Sequence, residues 1–136
     1  MELTARQKQQ LRKSFRAEGA ILAYLFGSRV GGYAKSESDF DIAVYLGNKN
    51  KKKDLFKIKM NLIREASRIL KTDKADVVII DEIRSPVLKF VIIQEGKVLF
   101  SSNESARMDL ELKMINQYHD HRPILEMYDQ RLLKER

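Results

Sequence analysis

The sequence predicts an α/β (α+β) domain: a small mixed β-sheet of about four strands with helices packed on one face. Short apolar runs alternate along the chain with longer segments in which apolar residues recur at helical spacing. The chain has 136 residues, of which 43% are hydrophobic and only two are prolines, so it suits one compact domain with its own core. We therefore expect residues 1–136 to form a single domain.

A capping box and two apolar runs open the chain. Thr4 with Gln7 three residues later predicts the start of a helix that extends to about Ala17. The run 20–26 is apolar throughout and short, which is typical of a strand covered on both faces. The run 40–46 alternates large apolar residues with others, so it predicts a second strand with one core face and one face that carries carboxylates.

A long helix, a third strand and another helix are predicted next. Apolar residues recur every three or four positions over 54–70, which predicts an amphipathic helix. The run 75–80, rich in valine and isoleucine, predicts the third strand. Ser85 as N-cap and Pro86 in the first turn favour a helix after it, although the run 90–93 alone would also suit a strand.

The C-terminal quarter is predicted to be helical after one short strand. Gly96 ends the preceding helix, and 97–100 predicts the fourth strand. Asn103 suits the cap of one helix, and Pro123 suits the start of another. We expect these C-terminal helices, 103–136, to contact a partner protein through exposed apolar residues.

Charge and cysteine content narrow the class of protein. Lys and Arg number 26 against 19 Asp and Glu, and the formal net charge of +7 favours polyanionic partners such as a nucleoside triphosphate, RNA or an acidic protein. The absence of cysteine excludes disulfides, thiolate zinc sites and a cysteine nucleophile. The polar N-terminus lacks the apolar core of a signal peptide, and no apolar run reaches the roughly 18 residues of a membrane helix. We expect a cytoplasmic protein.

The segment between the first two predicted strands has the strongest functional signal. Gly27 and Ser28 follow the first strand directly, where backbone N–H groups and the serine hydroxyl can bind phosphate oxygens. Asp39 and Asp41 are two positions apart and therefore share one face of the second strand. Carboxylate oxygens suit Mg²⁺, which bridges to substrate phosphates. The combination predicts a site for a nucleoside triphosphate.

A third carboxylate on a neighbouring strand would complete a two-metal site, with the ions roughly 4 Å apart. Asp76, at the start of the third predicted strand, is the best candidate. Asp81 and Glu82 lie at the far end of the same run, where a turn is expected, so they are weaker candidates. Such carboxylates suit nucleotidyl transfer, which requires the charge of the triphosphate to be neutralised and the attacking hydroxyl to be activated.

This pattern resembles the minimal nucleotidyltransferases of the polymerase-beta superfamily. The sequence has Gly-Ser at 27–28, a polar loop, Asp-Phe-Asp at 39–41 and a separate Asp76, with ten residues between the serine and the first aspartate. The short single-domain layout is similar to the MntA-type antitoxins, the partners of HEPN-domain ribonuclease toxins. The resemblance implies a polymerase-beta-like fold and the transfer of AMP from ATP, with Mg²⁺, to a tyrosine of the toxin, which silences it.

The resemblance also implies a role for each residue of the pattern. The Gly-Ser pair would bind the triphosphate, and Arg29 would also reach phosphate. Asp39 and Asp41 would bind Mg²⁺. Asp76 would be the third metal-binding carboxylate, and it would orient and activate the attacking hydroxyl.

The same residues allow other interpretations. A Walker phosphate loop is rejected, because Ala34 stands where that motif has glycine before Lys35 and Ser36. His119 and His121 are expected to be surface residues. One alternative is a nucleotidyltransferase that acts on a small molecule or RNA, and another is a non-enzymatic antitoxin that neutralises its toxin by binding. Direct binding of nucleic acid is not required for the antitoxin role, and homo- or hetero-oligomers are both compatible with it.

Overall fold

The computed structural model describes residues 3–26, 40–47 and 54–134, with the side chains of the last range described up to Asp120. The elements in chain order are α1 (Ala5–Ala17), β1 (Leu22–Phe26), β2 (Phe40–Tyr45), α2 (Leu55–Leu70), β3 (Ala75–Ile79), a 3-10 turn (Ile80–Glu82), α3 (Pro86–Glu95), β4 (Lys97–Ser101) and α4 (Glu104–Lys134). No helix in this part of the chain has a stretch long and apolar enough to cross a membrane.

The four strands form one mixed sheet in the order β3-β2-β1-β4. β1 is antiparallel to both of its neighbours, whereas β2 and β3 are parallel. A parallel pair needs a crossover connection, and α2 provides it. The predicted mixed sheet of about four strands is therefore confirmed.

Side-chain caps begin the helices where the sequence predicts them. The Thr4 hydroxyl accepts a hydrogen bond from the Gln7 N–H at 3.1 Å, and the Gln7 amide oxygen accepts one from the Thr4 N–H at 2.9 Å. The Ser85 hydroxyl accepts from the Leu88 N–H at 3.2 Å, and Pro86 occupies the first turn of α3. These caps explain why the apolar run that follows Pro86 is a helix and not a strand.

Helices cover both faces of the sheet. α1 and α2 pack on one face, over a core that includes Phe15, Ile42 and Leu62. α3 and α4 pack on the other face, over a smaller core. The buried members of the smaller core are Leu22, Tyr24, Ala43, Ile80, Ile92 and Met114.

The fold class is as predicted, whereas the layering differs from the expectation of helices on one face and an open carboxylate face. Alternation along β2 does separate Asp41 from Phe40 and Ile42, which belong to the larger core. Two residues further on, however, Ala43 is fully buried on the Asp41 face. Apolar residues on that face need cover, and α3 and α4 supply it from later in the chain.

α4 is one continuous helix, whereas the sequence predicts two helices that meet at Pro123. The Asn103 side-chain oxygen accepts a hydrogen bond from the Ala106 N–H at 3.0 Å, as expected of the cap. The helix then runs from Glu104 to Lys134 and includes position 123. A proline inside a helix lacks one N–H donor and its ring crowds the carbonyl four residues earlier, so the turns on either side continue the helix at a cost of about 3 kcal/mol.

Candidate active site

Asp41 and Asp76 lie side by side on neighbouring strands. The parallel register of β2 and β3 places them directly opposite each other. Neighbouring strands are about 4.8 Å apart, and directly opposite residues project from the same face of a sheet. Asp76 is exposed and Asp41 is half-buried. The two carboxylates therefore form an accessible pair at the amino-terminal ends of β2 and β3.

The pair lies on the face that α3 and α4 cover further along the strands. The residues next to them in the chain, among them Ile42 and Val77, belong to the larger core under α1 and α2. Ala43, two positions after Asp41, belongs to the smaller core, and Val78, two positions after Asp76, is partly buried against it. The exposed end of this face is thus the place where a substrate can reach both carboxylates.

The carboxylate pair has the chemistry of a magnesium site. Two such charges repel each other at this spacing, and a divalent cation between them would offset the repulsion. In the described ranges, no three His, Asp or Glu side chains are grouped so as to hold a metal ion. Asp39, the other predicted ligand, lies outside those ranges. The pair fits Mg²⁺ in donor type, since this ion is usually held by one or two carboxylates together with waters and substrate phosphates.

The predicted phosphate-binding residues Gly27, Ser28 and Arg29 also lie outside the described residues. The strand that leads to them ends at Phe26, and the register partner of Phe26 on β2 is Asp41. The chain therefore enters the predicted phosphate-binding segment directly beside one of the two carboxylates.

Asp81 has a different position and a different role. Its carboxylate accepts hydrogen bonds from the Leu46 N–H at 2.9 Å and the Gly47 N–H at 2.8 Å. Gly47 has a φ of 81°, a conformation that favours glycine. These bonds fix the chain where it leaves β2, at the end of the strand remote from Asp41. Asp81 is thus occupied in holding the backbone, and Asp76 is the carboxylate that lies beside Asp41.

A polar network that was not predicted from the sequence joins the sheet to α4. The Tyr24 hydroxyl donates a hydrogen bond to Glu111 at 2.8 Å, and Arg107 contacts the same carboxylate at 3.4 Å and Glu104 at 2.6 Å. Burial, and then the hydrogen bond to Glu111, raise the pKa of Tyr24 far above its usual range. The neutral hydroxyl therefore remains a donor. The sequence signal for this network was a tyrosine inside an apolar run, because a buried hydroxyl requires a polar partner.

Solved structures of toxin–antitoxin complexes share this fold. A toxin–antitoxin with AMP-PNP is 24% identical with a TM-score of 0.69, over 92% of this chain and 98% of that chain. The Shewanella oneidensis structure of a tri-AMPylated HEPN toxin in complex with MNT antitoxin is 23% identical with a TM-score of 0.68, over 93% and 97%. A variant of an MntA toxin–antitoxin is 25% identical with a TM-score of 0.70, over 96% and 99%.

The family comparison agrees with the geometry of the site. A comparison with curated proteins gives no match. The family model described as polymerase beta, nucleotidyltransferase matches residues 9–105, a range that holds Asp41, Asp76 and the whole sheet. This chain therefore belongs to the polymerase beta nucleotidyltransferase family.

Proposed function

We propose that this chain is an adenylyltransferase antitoxin of the cytoplasm, which uses ATP and Mg²⁺ to transfer AMP to a tyrosine of a cognate HEPN-domain ribonuclease toxin. The observation that carries the proposal is the register pair of Asp41 and Asp76 in a domain of the nucleotidyltransferase family. The structural neighbours add support, since one contains AMP-PNP and another contains an AMPylated HEPN toxin with its antitoxin.

In the proposed reaction, the tyrosine oxygen attacks the α-phosphorus of ATP. A new P–O bond forms, the bond to pyrophosphate breaks, and pyrophosphate leaves with that electron pair. The hydroxyl proton passes to the carboxylate of Asp76, whose exposure leaves it open to an acceptor from outside the domain. Gly27, Ser28 and Arg29 would hold the triphosphate so that its α-phosphorus faces the acceptor.

The carboxylates would also hold the metal. Asp39, Asp41 and Asp76 are the residues assigned to Mg²⁺. When bound, the ion would neutralise phosphate charge and make the attacking oxygen more nucleophilic. Without it, the Asp41 and Asp76 charges would repel an incoming triphosphate, so both ATP binding and transfer are expected to depend on Mg²⁺.

α4 supplies a surface for the protein acceptor. Met108 and Leu112 are 65% and 59% exposed, lie four residues apart and so form an apolar stripe with the half-buried Ile115. Met108 and Leu112 point away from Met114, which is buried against the sheet, and Ile115 lies at the edge of the stripe. We assign the segment 103–136 as the partner-contact segment on this basis.

The test is transfer of label from ATP to the toxin. The chain is incubated with α-labelled ATP, Mg²⁺ and the product of the adjacent gene, and wild type is compared with Asp41→Asn and Asp76→Asn. Each variant should lose at least about 100-fold in transfer rate. Asp73→Asn is the matched control, because it removes the same charge from an exposed position just before β3 and should transfer at the wild-type rate.

The outcomes separate the alternatives. Full transfer by both Asn variants would contradict the site assignment. A non-enzymatic antitoxin would be favoured by two results together. The wild-type chain would leave no label on the toxin, and Asp41→Asn would still neutralise the toxin. Label on RNA or a small molecule, and none on the toxin, would identify a different acceptor.

A further inference from the structure

The outer surface of the α1 and α2 layer is strongly basic. These two helices have nine basic side chains and one acidic side chain, Glu65. α4, as far as Asp120, has four acidic side chains and two basic ones. The basic residues of the first layer are Arg6, Lys8, Arg12, Lys13, Arg16, Lys57, Lys59, Arg64 and Arg68. Among the side chains that the structure describes, positive charge is therefore concentrated on the face of the domain opposite the carboxylate pair.

A groove runs between α1 and α2 on this face. Two cavities of about 360 and 420 Å³ follow one another along it. The basic residues that line it are Arg6 and Lys13 from α1, Arg64 and Arg68 from α2, and Lys71 just after α2. We call this feature, defined by these five residues, the α1/α2 groove.

Two carboxylates also line the groove and reduce its charge. Glu65 is paired with Arg68 at 2.7 Å, and Glu18 lies at the far end of α1. Five cations against two carboxylates leave the groove clearly positive. Arg12 and Arg16 are used differently: Arg12 donates to the Leu99 carbonyl at 3.0 Å, and Arg16 lies over the buried Phe100 ring at 5.6 Å.

We propose that the α1/α2 groove binds the phosphate backbone of a nucleic acid strand. α1 has 13 residues and is therefore about 20 Å long, which spans about six phosphates at the 3.4 Å spacing of a stacked strand. Cations on both rims can contact phosphates along that length. This activity goes beyond the proposed AMP transfer and does not depend on it.

The residues of the groove favour nucleic acid over an acidic protein. Its floor has amide and hydroxyl groups, from Gln7, Gln10, Ser14 and Asn61. Protein interfaces centre on buried aromatic or aliphatic anchors. Among the described residues, no exposed large apolar side chain lines the groove. Met60, which precedes the groove residue Asn61 in the chain, does not line it. Hydrogen-bonding groups between cationic rims suit phosphate and sugar oxygens instead.

Fluorescence anisotropy of a labelled 20-nucleotide oligo(U) RNA, titrated with the full chain, tests the proposal. The groove variant is Arg6→Gln/Arg64→Gln/Arg68→Gln. The matched control is Lys89→Gln/Lys97→Gln/Lys113→Gln, which removes the same charge from the opposite layer and β4. We expect the groove variant to bind about tenfold more weakly and its salt slope to fall by about 2, at about 0.7 per phosphate contact. The control should change affinity less than about threefold.

Titrations with other labelled ligands identify what the groove binds. Oligo(dT) DNA of the same length should bind within a few-fold of RNA if phosphates dominate, and tighter RNA binding would assign the ligand as RNA. The proposal is overturned if wild type does not bind either strand at 0.1 M salt, if both variants lose affinity equally, or if a labelled polyglutamate peptide binds as tightly. Thermal melts check folding, and the single variants Arg64→Gln and Lys97→Gln give the same comparison if either triple variant is destabilised.

Discussion

The two helical layers of this domain serve different purposes. Among the described residues, the core on the side of α1 and α2 contains 18 buried residues, and the outer surface of this layer is mainly basic, with the exposed apolar pair Phe56 and Met60. The layer of α3 and α4 covers six, is joined to the sheet by the Tyr24–Glu111 hydrogen bond, and has the exposed stripe of Met108 and Leu112. The larger core therefore buries more apolar residues, whereas the second layer depends in addition on a polar link to the sheet.

The largest effect on stability is expected from a substitution in the larger core. Leu62 is 1% exposed, and Leu62→Ala should lower the free energy of unfolding by about 3 kcal/mol, through lost burial and a cavity, with a fall in Tm of about 10 °C. Met114→Ala in the smaller core should lower the free energy of unfolding by less, because the residues around Met114 can relax more easily. Urea unfolding measures both. Equal or reversed costs would contradict the assignment of stability to the α1 and α2 layer.

The next effect concerns partner binding and rests on the proposed function. Met108→Gln/Leu112→Gln should weaken toxin binding about tenfold while stability stays within about 0.5 kcal/mol, since both side chains are exposed. Phe56→Gln/Met60→Gln is the matched control, because it removes an exposed apolar pair of the same spacing from α2. Calorimetric titration with the toxin gives the affinities. The same loss in both pairs would show that the α4 stripe has no special role.

A smaller effect tests the polar connection between the sheet and α4. Tyr24→Phe removes the donor to Glu111 and should cost about 1 kcal/mol at pH 7. Because folding raises the pKa of Tyr24, the neutral hydroxyl contributes stability that is fully present below pH about 10 and is lost as the pH rises above it. Wild-type Tm should therefore fall more steeply than that of the variant as the pH rises from about 10 to 11. Parallel curves would mean that this hydroxyl is not coupled to folding.

The smallest effect is at the end of α2. Lys71 caps this helix in the left-handed conformation, with φ 53° and ψ 47°, which glycine adopts without strain. Lys71→Gly should raise the free energy of unfolding by about 0.5–1 kcal/mol. Lys71→Ala keeps the β-carbon and should not. Equal stability of the two variants in urea would refute this explanation.

Local patterns predicted most elements, and distant packing accounts for the differences. The caps at Thr4 and Ser85 are short-range hydrogen bonds, so residue types and spacing were enough to locate α1 and α3. Ala43 is buried by helices that follow much later in the chain, and the alternation of residues within β2 cannot predict that these helices pack there. Position 123 suggested a helix start by its residue type alone, although a proline can also lie within a long helix.

In the candidate site too, local sequence patterns predicted some features, and others depend on contacts between distant parts of the chain. Alternation placed Asp41 on the face opposite Phe40, as the structure shows. The choice of Asp76 over Asp81 depended on expecting a turn, and the parallel register now gives a geometric reason for it. The roles of Gly27 and Ser28 rest on sequence and remain predictions.

The pairing of Asp41 with Asp76 also has a consequence for the newly made chain. The two residues belong to strands joined only through α2, so they meet only after this crossover has closed and β3 has paired with β2. Such non-local contacts form late, because the loop must close before they add stability. A nascent polypeptide that has folded only its first two strands therefore lacks one carboxylate. Under the proposed function, transfer activity during translation is expected to begin only after β3 has paired with β2.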